Sequence, residues 1–437
     1  MKFRYRNEDE MKDSDIEWIG KIPKHWNSIM FKRVIQRVNN GIWGDDAKSN
    51  SDDIPCIRVL NFNRNTMEVK IDNLTIRNIP RIKQKGYLLK KGDLLIEKSG
   101  GGEKSPVGFV VRYNYELPAV YANFMAKISL NNNTISEYIK YLCSAIYNRK
   151  LHLDSINQTT GIQNLDSEIY FKRYIALPNV LEQEKIAKFL DEKTAEFDSI
   201  ISKKEALIKK LEEAKKSLIS EVVTGKVKVI KTSDGYELVE RKQEEMKDSG
   251  VEWLGDIPRE WNIKKIKYVS SLKSGESITS DNIRDDAKYP VYGGNGLRGY
   301  TDRFTHKGKY ILIGRQGALC GNINYTNDEF WASEHAIVVN PLLKVDTLWL
   351  GELLRSMNLN QYSISAAQPG LAVGMIENLS IPFIEYNKQL VISDFINKKI
   401  LEIKTTVEKT KQQIEKLKEA KQSLISEAVT GKIEILE

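Results

Sequence analysis

A long charged segment occurs twice in this chain, and it limits the possible folds more than any other feature. The first copy runs over about residues 182–225 and ends in SLISEVVTGKVKV, and the second ends in SLISEAVTGKIEI near the end of the sequence. Ser217 corresponds to Ser423 at an offset of 206 residues. Each copy continues for about 40 residues without Gly or Pro, which predicts two long helices. The chain therefore has a tandem, two-part organisation.

A shorter repeat precedes each half. MKDSDIEWIGKIPKHW at 11–26 returns as MKDSGVEWLGDIPREW at 246–261. Gly and Pro between the two Trp residues of each motif predict an extended or turning backbone. We expect these large side chains to seal a domain edge, and partner binding is the alternative. Two repeats are too few for a solenoid, but they suit a molecule with approximate internal two-fold symmetry.

The predicted long helices carry apolar residues at heptad spacing. Steps of four and three residues from Ile186 reach an apolar residue at eight of ten positions, and the same steps from Ile392 do so at six of ten. This spacing predicts a coiled-coil seam in which the two helices pair with each other. Gly225 and Gly431 predict the helix ends. The seam residues that we expect to serve helix pairing and partner binding are Leu190, Phe197, Leu207, Leu211, Leu218, Leu417 and Leu424.

Two blocks of unrelated sequence lie between these repeats. The first contains CIRVLNF, KGDLLIEKSG, GFVVRY and FMAKISL, which read as short strands, and a helical pattern over residues 136–151. The second contains YPVYGGNGLRGY, GKYILIGRQGALCGNINY and FWASEHAIVVNP, which read as strands with Gly turns. The predicted fold class is therefore mixed α/β (α+β). The predicted segments are 1–29 (N-terminal, starting with a polar extension), 30–176 (first block), 177–225 (first long helix), 226–264 (polar linker and second Trp motif), 265–380 (second block) and 381–437 (second long helix).

The positive charge of the chain is concentrated in the first block. The net charge is +8, and residues 31–176 contain 22 Lys and Arg against 14 Asp and Glu. A basic block beside a charge-balanced helix is typical of a DNA-binding protein with a protein-binding scaffold, and plain solubility is the alternative. Arg, Asn and Gln can pair with base edges, and Lys with phosphates. The residues predicted to contact DNA are Arg58, Asn61, Asn63, Arg64, Lys98, Ser99 and Lys104 in the first block and Asn295, Arg298, Arg315 and Gln316 in the second.

The sequence lacks the motifs of several enzyme classes. The Gly-rich stretch at 99–106 is not a Walker A loop, because Glu103 stands where that loop needs Gly and would oppose a triphosphate. The letters GNGLRG at 294–299 match GxGxxG, but they lie in a stretch that reads as strands with Gly turns rather than as a strand followed by a helix, so no cofactor loop is predicted. There is no [ND]PP[YF] methylation motif. Paired aspartates at 45–46, 52–53 and 285–286 lie in polar, turn-rich stretches, so we interpret them as solvated loops rather than as a metal site. No catalytic residue is predicted.

Cofactors, metals and membranes are also not expected from the sequence. Three Cys and four His without ligand spacing predict neither a zinc site nor a disulfide framework, and a reducing compartment such as the cytoplasm. No stretch approaches 18 uncharged apolar residues, which disfavours a membrane span. No cofactor is predicted.

Together these motifs resemble those of the specificity subunit of type I restriction-modification systems. EWIGKIPKHW and EWLGDIPREW carry the resemblance, as do PVYGGNG, LIGRQGALCG and the two helices that end in SLISE-x-VTGK. It spans nearly the whole chain, although the first block retains only the GDLLIEKSGG part of the pattern. The resemblance implies two target recognition domains, 30–176 and 265–380, each reading half of a bipartite DNA site. It further implies an antiparallel coiled coil that sets the spacing between the half-sites.

The resemblance also implies the partners. These are double-stranded DNA, two adenine methyltransferase subunits and, in the full complex, two restriction subunits that translocate DNA; the subunit itself has no catalysis and no membrane. Two other classes remain as alternatives. A self-contained methyltransferase or nuclease is disfavoured by the missing motifs, and a coiled-coil scaffold without DNA binding leaves the basic blocks unexplained.

Overall fold

A computed structural model describes residues 1–159, 161–317, 319–363 and 370–436. The chain divides into two compact units: the first comprises Met1–Glu205 with Lys411–Glu437, and the second comprises Ala206–Thr410. Each unit contains one variable block, one Trp motif and a part of each long helix. Over the described residues, no helix combines the length and the apolar character needed to cross a membrane.

The elements before the second half are short until the first long helix begins. They are β1 Phe3–Tyr5, β2 Met11–Asp13, β3 Lys21–Pro23, β4 Asn27–Met30, β5 Ile35–Asn40, β6 Asp45–Asp46, β7 Asp53–Ile57, β8 Phe62–Asn63, β9 Glu68–Val69, β10 Thr75–Asn78, α1 Arg81–Gln84, β11 Leu94–Glu97, β12 Ser99–Gly100, β13 Val110–Arg112, β14 Val120–Tyr121, β15 Met125–Leu130, α2 Ser136–Asn148, β16 Ile156–Thr159, β17 Ile162–Leu165, α3 Ser167–Lys172, β18 Tyr174–Leu177 and the long α4 Val180–Val223.

The second half repeats this plan. Its elements are β19 Val227–Thr232, β20 Gly235–Glu240, β21 Met246–Asp248, β22 Asp256–Pro258, β23 Asn262–Lys265, β24 Ser270–Ser274, β25 Tyr289–Gly293, β26 Gly296–Thr301, β27 His306–Lys307, β28 Tyr310–Gly314, β29 Ile323–Thr326, β30 Glu329–Ala332, β31 Ala336–Pro341, α5 Thr347–Ser356, α6 Val373–Glu377, β32 Ser380–Phe383, the long α7 Tyr386–Val429 and β33 Ile433–Ile435.

The core of the first variable block is a six-stranded sheet in the order β5-β15-β11-β13-β9-β8. Its strand β11 lies antiparallel to β15 and β13, and Leu94, Leu95 and Ile96 are completely buried. A strand covered on both faces needs consecutive apolar residues, which explains the run LLI. The strands predicted at KGDLLIEKSG, GFVVRY and FMAKISL are confirmed as β11, β13 and β15, and the predicted helix is confirmed as α2. The strand predicted at CIRVLNF is confirmed only at its ends, in β7 and β8, because residues 59–61 form a 3-10 turn.

The second variable block is built on two four-stranded sheets, β24-β31-β28-β29 and β26-β25-β30-β27. β28 lies antiparallel to β31 and β29, and its residues Ile311, Leu312 and Ile313 are buried, as in β11. α5 packs on β28 and β29 and buries Trp349 and Leu353 completely. Both units are thus mixed α/β, and this part of the predicted fold class is confirmed.

In each unit, the Trp motif covers the end of a long helix. Gly431 follows α7 at φ +72° and Gly225 follows α4 at φ +82°, in the left-handed region that favours glycine. A Cβ on Gly431 would lie 2.4 Å from Cδ of Pro23, and one on Gly225 would lie 2.7 Å from Cδ of Pro258. The first motif therefore packs on the second helix, and the second motif packs on the first helix. Trp26 is completely buried, which confirms the predicted sealing role.

Two stretches predicted to be irregular polar chain form β-structure instead. Residues 1–10 contain β1, which pairs with β33 in the register Phe3↔Ile435. Residues 226–245, predicted as a linker, contain the hairpin of β19 and β20 around Gly235. The second prediction was wrong because it overlooked a local signal, an Asp-Gly turn between the alternating runs VKVIKT and YELVE. The first was wrong because β1 has only three residues and depends on its pairing partner. For β1, that partner is more than 400 residues away in sequence.

The buried face of α4 differs from the predicted seam at alternate positions. Within the first unit, Leu190 and Ile201 are buried, but Ile200, which the predicted seam included, is 44% exposed. Within the second unit, Leu207 is 45% exposed and Ile208 is half-buried. The prediction was wrong there because adjacent apolar pairs fit two heptad spacings equally well, and only packing selects one.

The same one-residue shift applies to α7. Val407 and Ile414 are buried, whereas the predicted seam passed through Thr406 and Gln413, which are exposed. Branched apolar residues therefore occupy the buried face in the middle of this helix, where the predicted seam had polar residues.

Contacts between the two long helices occur within the first unit. Lys421 Nζ donates to both carboxylate oxygens of Asp198 at 2.8 Å and also to the backbone oxygen of Asn65 at 2.9 Å. Lys204 Nζ donates to Gln413 Oε1 at 2.7 Å. The lysine of α7 thus joins α4 to the variable block of the same unit.

Candidate nucleic-acid interface

Three of the predicted DNA-contacting residues of the first unit lie on one Gly-rich loop after β11. Lys98 Nζ donates to Asn40 Oδ1 at 3.0 Å, and Ser99 Oγ donates to Asn164 Oδ1 at 2.6 Å. Lys104 is exposed near the loop tip. The loop closes on itself through a bridge between Gly102 and Ser105. The structure therefore brings Lys98, Ser99 and Lys104 together on a defined loop, alongside exposed asparagines.

Part of this loop, the short strand β12, belongs to a small sheet. β12 pairs with β17, and β17 pairs with β16, in a three-stranded antiparallel arrangement. Gln163 on β17 is buried, and its Oε1 accepts a hydrogen bond from Val107 N at 3.3 Å. A Cβ at Gly101, where φ is +62°, would lie 3.0 Å from Gln163 Oε1. Glycine is required there because the loop passes so close to this side chain.

Three other predicted residues of the first unit make structural contacts elsewhere in the block. Asn61 is buried, and its Oδ1 accepts from the backbone N–H of Arg58 at 2.9 Å. Asn63 Oδ1 accepts from the backbone N–H of Asn65 at 3.1 Å and shapes a turn. Arg64 donates to Glu97 Oε2 at 2.7 Å. In these positions the side chains of Asn61, Asn63 and Arg64 fix the loops of the block.

The ion pair of Arg64 is built into the protein interior. Glu97 is 3% exposed, and the Arg64 guanidinium lies 4.7 Å from the ring centre of Phe109. Burial raises the pKa of the Glu97 carboxyl, and the charge and hydrogen bond of Arg64 act in the opposite direction. Without Arg64, this carboxylate would remain buried and unpaired, so the arginine has a stability role whether or not it reaches DNA.

Arg58 belongs to a second basic group of the first unit. The Arg58 and Arg77 guanidiniums lie 5.5 and 4.4 Å from the ring centre of Trp43. Arg77 also pairs with Asp46. The Asp45–Asp46 pair forms a short exposed strand, β6. Arg58 is half-buried, and it keeps part of its surface open to an anion such as a phosphate.

In the second unit, Gln316 and Asn295 belong to adjoining polar contacts. Gln316 Oε1 lies 2.8 Å from His335 Nδ1, and Asn322 Nδ2 donates to Asn295 Oδ1 at 2.9 Å. A Cβ at Gly314 would lie 2.0 Å from the backbone oxygen of Gly294, so the turn before Asn295 lies directly on the end of β28. Glycine is therefore required at position 314 for this close packing of backbone within the unit. Two polar pairs flank it, and hydrogen-bonding groups of this kind can recognise base edges.

Arg298 and Arg315 are placed differently from each other. Arg298 is exposed on β26, and its side chain runs beside Gly293, where a Cβ would lie 2.4 Å from its Cδ. Arg315 directly precedes Gln316, and its backbone N–H donates to the backbone oxygen of His335 at 2.8 Å. Arg315 and Gln316 therefore occupy the loop after β28, as Lys98 and Ser99 follow β11 in the first unit.

Comparison with known proteins identifies the family. The family model for the type I restriction modification DNA specificity domain matches residues 23–212 and again residues 258–416. The chain belongs to this family. The two matches cover well over half of the chain and fall one in each half, in agreement with the internal repeat.

Individual relatives carry the same family description. The specificity subunit of the type I restriction enzyme EcoprrI from Escherichia coli is 39% identical over 139 residues, which are 31% of this chain and 35% of that protein. That match spans about a third of the relative's length. A putative MjaX specificity subunit from Methanocaldococcus jannaschii is 23% identical over 99% of this chain and 98% of its own length.

A solved structure shares the fold. It comes from work on complex assembly and conformational transition of the type I R-M system, and it covers 93% of this chain and 98% of its own chain with a TM-score of 0.64 at 14% identity. At this identity the likeness concerns the arrangement of the backbone alone. This chain thus shares the mixed α/β backbone arrangement of that structure.

The polar residues that sequence reasoning missed come from distant parts of this specificity-domain chain. Asn40, Asn164, Asn322 and His335 each contact a predicted residue, but none lies within a recognisable motif. A weak match between the halves, in which Lys98-Ser99-Gly100 corresponds to Arg315-Gln316-Gly317, aligns the two loops but does not point to these four residues. Their proximity arises from strand pairing between segments far apart in sequence.

The predicted partner-binding residues differ in how much surface they offer. Leu190 is completely buried in the core of the first unit, so it packs within the chain. Leu424 and Leu218 are half-buried against the cores of their own units. Leu207 is 45% exposed and is open to contact from outside. The remaining three, Phe197, Leu211 and Leu417, are half-buried along the long helices.

Proposed function

We propose that this chain is the DNA-specificity subunit of a type I restriction-modification complex, in which each unit reads one half of a bipartite site. The observation that carries the proposal is a shared arrangement. In both units a Gly-containing loop follows a buried strand, β11 or β28, and displays a basic residue and a polar residue next to each other. In the first unit, Asn40 and Asn164 from other strands contact both residues of this pair, and in the second unit His335 from the turn before β31 contacts Gln316.

We further propose that α4 and α7 form an antiparallel coiled coil that sets the spacing between the half-sites. Support comes from the buried face of each helix, which recurs at alternating steps of three and four residues, and from the Asp198–Lys421 and Lys204–Gln413 contacts. Asp198 precedes Lys204 on α4, but their partners Lys421 and Gln413 occur in the reverse order on α7, as they do in an antiparallel pair. The approximate two-fold repetition of helices and Trp motifs provides two equivalent docking surfaces, one for each of two methyltransferase subunits, with restriction subunits joining in the full complex.

The DNA-reading function is tested with the full-length chain and a randomised pool of DNA duplexes. We expect binding to enrich two short sequences separated by a fixed, unspecified spacer, and overall affinity to fall with added salt. A scaffold that does not read DNA would enrich no sequence. Adding the cognate methyltransferase should place N6-methyladenine within the same enriched motif.

The spacer function is tested by lengthening both helices together. Seven residues inserted after Lys203 and seven after Gln413 keep the heptad phase and add about 10 Å to each helix, or about three base pairs of duplex. The enriched motif should keep both half-sites and gain about three spacer positions. As a control, the same insertion in α4 alone breaks its register with α7 and should reduce binding. An unchanged spacer in the double insertion would refute the spacing role.

A further inference from the structure

We propose that the hairpin of β16 and β17 reads an A·T base pair of the first half-site through Asn157 and Asn164. This rests on the proposed DNA-reading function, and it specifies which residues of the first unit recognise a base and which base they recognise. Neither residue was predicted from sequence to contact DNA, and both belong to the segment INQTTGIQNL at residues 156–165.

The strand register places the two carboxamides in one row. Ser99 on β12 pairs with Asn164 on β17, and Asn164 pairs with Asn157 on β16. Residues directly opposite each other on adjacent antiparallel strands project to the same face of a sheet. Asn157 and Asn164 are both exposed. The row therefore presents two carboxamides to solvent, separated by the distance between neighbouring strands, roughly 5 Å.

The hydrogen bonds of this row leave the reading groups available. Ser99 Oγ donates to Asn164 Oδ1 at 2.6 Å, which orients the amide but leaves Nδ2 free to donate and a second lone pair on Oδ1 to accept. Within the described parts of the chain, the carboxamide of Asn157 makes no hydrogen bond. An asparagine amide can donate to N7 and accept from N6 of adenine in the major groove.

An apolar side chain accompanies the amides. Ile162 lies two residues before Asn164 on β17, on the same face, and it is 52% exposed. The methyl group of thymine is the apolar feature of the major groove, and aliphatic side chains contact it favourably. An amide pair with an adjoining branched aliphatic group matches A·T better than G·C, which presents no methyl group.

The hairpin is held rigidly enough to define a base position. On the opposite face of β17, Gln163 is 7% exposed and accepts from Val107 N. The backbone N–H of Leu165 donates to the backbone oxygen of Lys98 at 2.8 Å. The hairpin and the Gly-rich loop thus form one body, and preorganisation of this kind lowers the cost of binding.

The charges around the hairpin favour a nucleic acid. Lys98 and Lys104 lie on the adjoining loop and can contact phosphates, and the one carboxylate of that loop, the exposed Glu103, offsets one of these two charges. Two neighbouring carboxylates are already engaged: Asp154 with Arg173, and Asp166 with the first backbone N–H groups of α3. Those carboxylates are therefore partly neutralised by contacts within the chain.

The test compares full-length variants in enrichment from the randomised duplex pool. Asn157→Ala and Asn164→Ala should each lower the preference for A·T at one position of the first half-site by about 5- to 150-fold and leave the second half-site unchanged. Asn164→Asp keeps the shape but replaces the donor with an acceptor, so it should shift that position from A·T towards C·G, where cytosine N4 donates. Gln158→Ala is the matched control, because Gln158 is an exposed amide on the other face of β16.

The outcomes separate this proposal from the function on which it rests. If Asn157→Ala and Asn164→Ala enrich the same first half-site as the unmodified chain, the hairpin does not read bases, although the chain still reads DNA. If the unmodified chain enriches no bipartite motif, the DNA-reading function itself fails. A variant that loses the second half-site as well is misfolded, and Asn164→Asp, which preserves packing, then decides: retention of A·T at that position overturns the proposal.

Discussion

The two units place a Gly-containing loop with adjacent basic and polar residues at the same point of the fold, but they hold it by different contacts. In the first unit, the loop after β11 joins a three-stranded sheet, and the buried Gln163 supports it from below. In the second unit, the loop after β28 pairs with Gly370 through a bridge at Gln316, and the Gln316 side chain contacts His335. Each unit has an equivalent buried strand before the loop, β11 or β28, whereas the side chains that hold the loop differ between the units. Two readers of different half-sites would need this combination.

The helices show a similar difference at corresponding lysines. Lys421, in the first unit, bonds to Asp198 across the helices and to Asn65 of the variable block. Lys215, its counterpart in the second unit at the same offset of 206 residues, pairs with Glu212 on its own helix. Position 404, the counterpart of Asp198, is a lysine. The first unit thus ties its variable block to both helices by a charged contact that the second unit cannot form in the same way.

Acid should destabilise the first unit more than the second, and this is the largest effect that we expect. Burial lowers the pKa of His152 to about 4, and the nearby positive charge of Arg173 acts in the same direction. The folded state therefore resists protonation while the unfolded state accepts it below its ordinary pKa of about 6.5. Stability is fully present above that pH and should fall by about 2–3 kcal/mol as the pH drops towards 4.

His152→Phe should remove most of this acid sensitivity, as measured by thermal unfolding midpoints between pH 7.5 and 4.5. A phenylalanine can keep the stacking on Tyr147, whose ring centre lies 4.3 Å from that of His152. His306→Phe in the second unit is the matched control. Burial also lowers the pKa of His306, but this side chain is only half-buried, so its effect should be smaller. If His152→Phe and His306→Phe reduce the acid-induced drop in the unfolding midpoint by the same amount, His152 does not make the first unit more acid-sensitive than the second.

Arg315→Ala should alter one half-site only. Loss of a side chain that can pair with guanine should reduce discrimination at one or two positions of the second half-site by roughly 1–3 kcal/mol. Enrichment from the randomised duplex pool measures this, and the first half-site serves as the internal control. A reduction distributed equally over both half-sites would show that Arg315 contributes general affinity rather than base reading.

Lys421→Met should destabilise the protein more than Lys215→Met in urea denaturation. The first substitution leaves Asp198 partly buried without its partner and should cost about 2 kcal/mol, whereas the second breaks a pair within one helix and should cost less than about 1 kcal/mol. The double variant Lys421→Met with Asp198→Leu should recover much of the stability, because an apolar pair replaces the charges. If the double variant is as unstable as Lys421→Met alone, the ion pair is not the cause.

The smallest effect concerns general affinity for DNA. Lys98→Ala with Lys104→Ala should reduce the slope of log affinity against log salt by about 2, because each lysine that no longer neutralises a phosphate lowers the slope by about one unit. The control is Lys12→Ala with Lys24→Ala, which removes the same charge from the first Trp motif, where both side chains are exposed. An unchanged slope after the loop substitutions would exclude phosphate binding by these lysines.

Sequence reasoning identified part of the candidate interface. Lys98 and Ser99, like Arg315 and Gln316, were found because each pair follows an apolar strand and adjoins glycine, which is a local signal. Asn164 and His335 were not found, because they reach these loops through pairing with strands that are distant in sequence. Arg64 was assigned to DNA on its residue type, and its contact with the buried Glu97 became visible only once β8 and β11 lay in one sheet.

The sequence by itself determined the tandem plan, the two long helices and their glycine ends, and the strands with continuous apolar runs. These features depend on local chemistry: backbone freedom at glycine, helical periodicity and the burial of consecutive apolar residues. The tertiary structure alone decided which face of each helix is buried, that β1 pairs with β33, and that the Trp motif of each half packs on the helix of the other. Adjacent apolar pairs such as Leu207 and Ile208 satisfy two helix registers equally well, and short polar strands have no preference of their own. Long-range packing makes those choices, because the free energy that separates the alternatives arises only when distant segments meet.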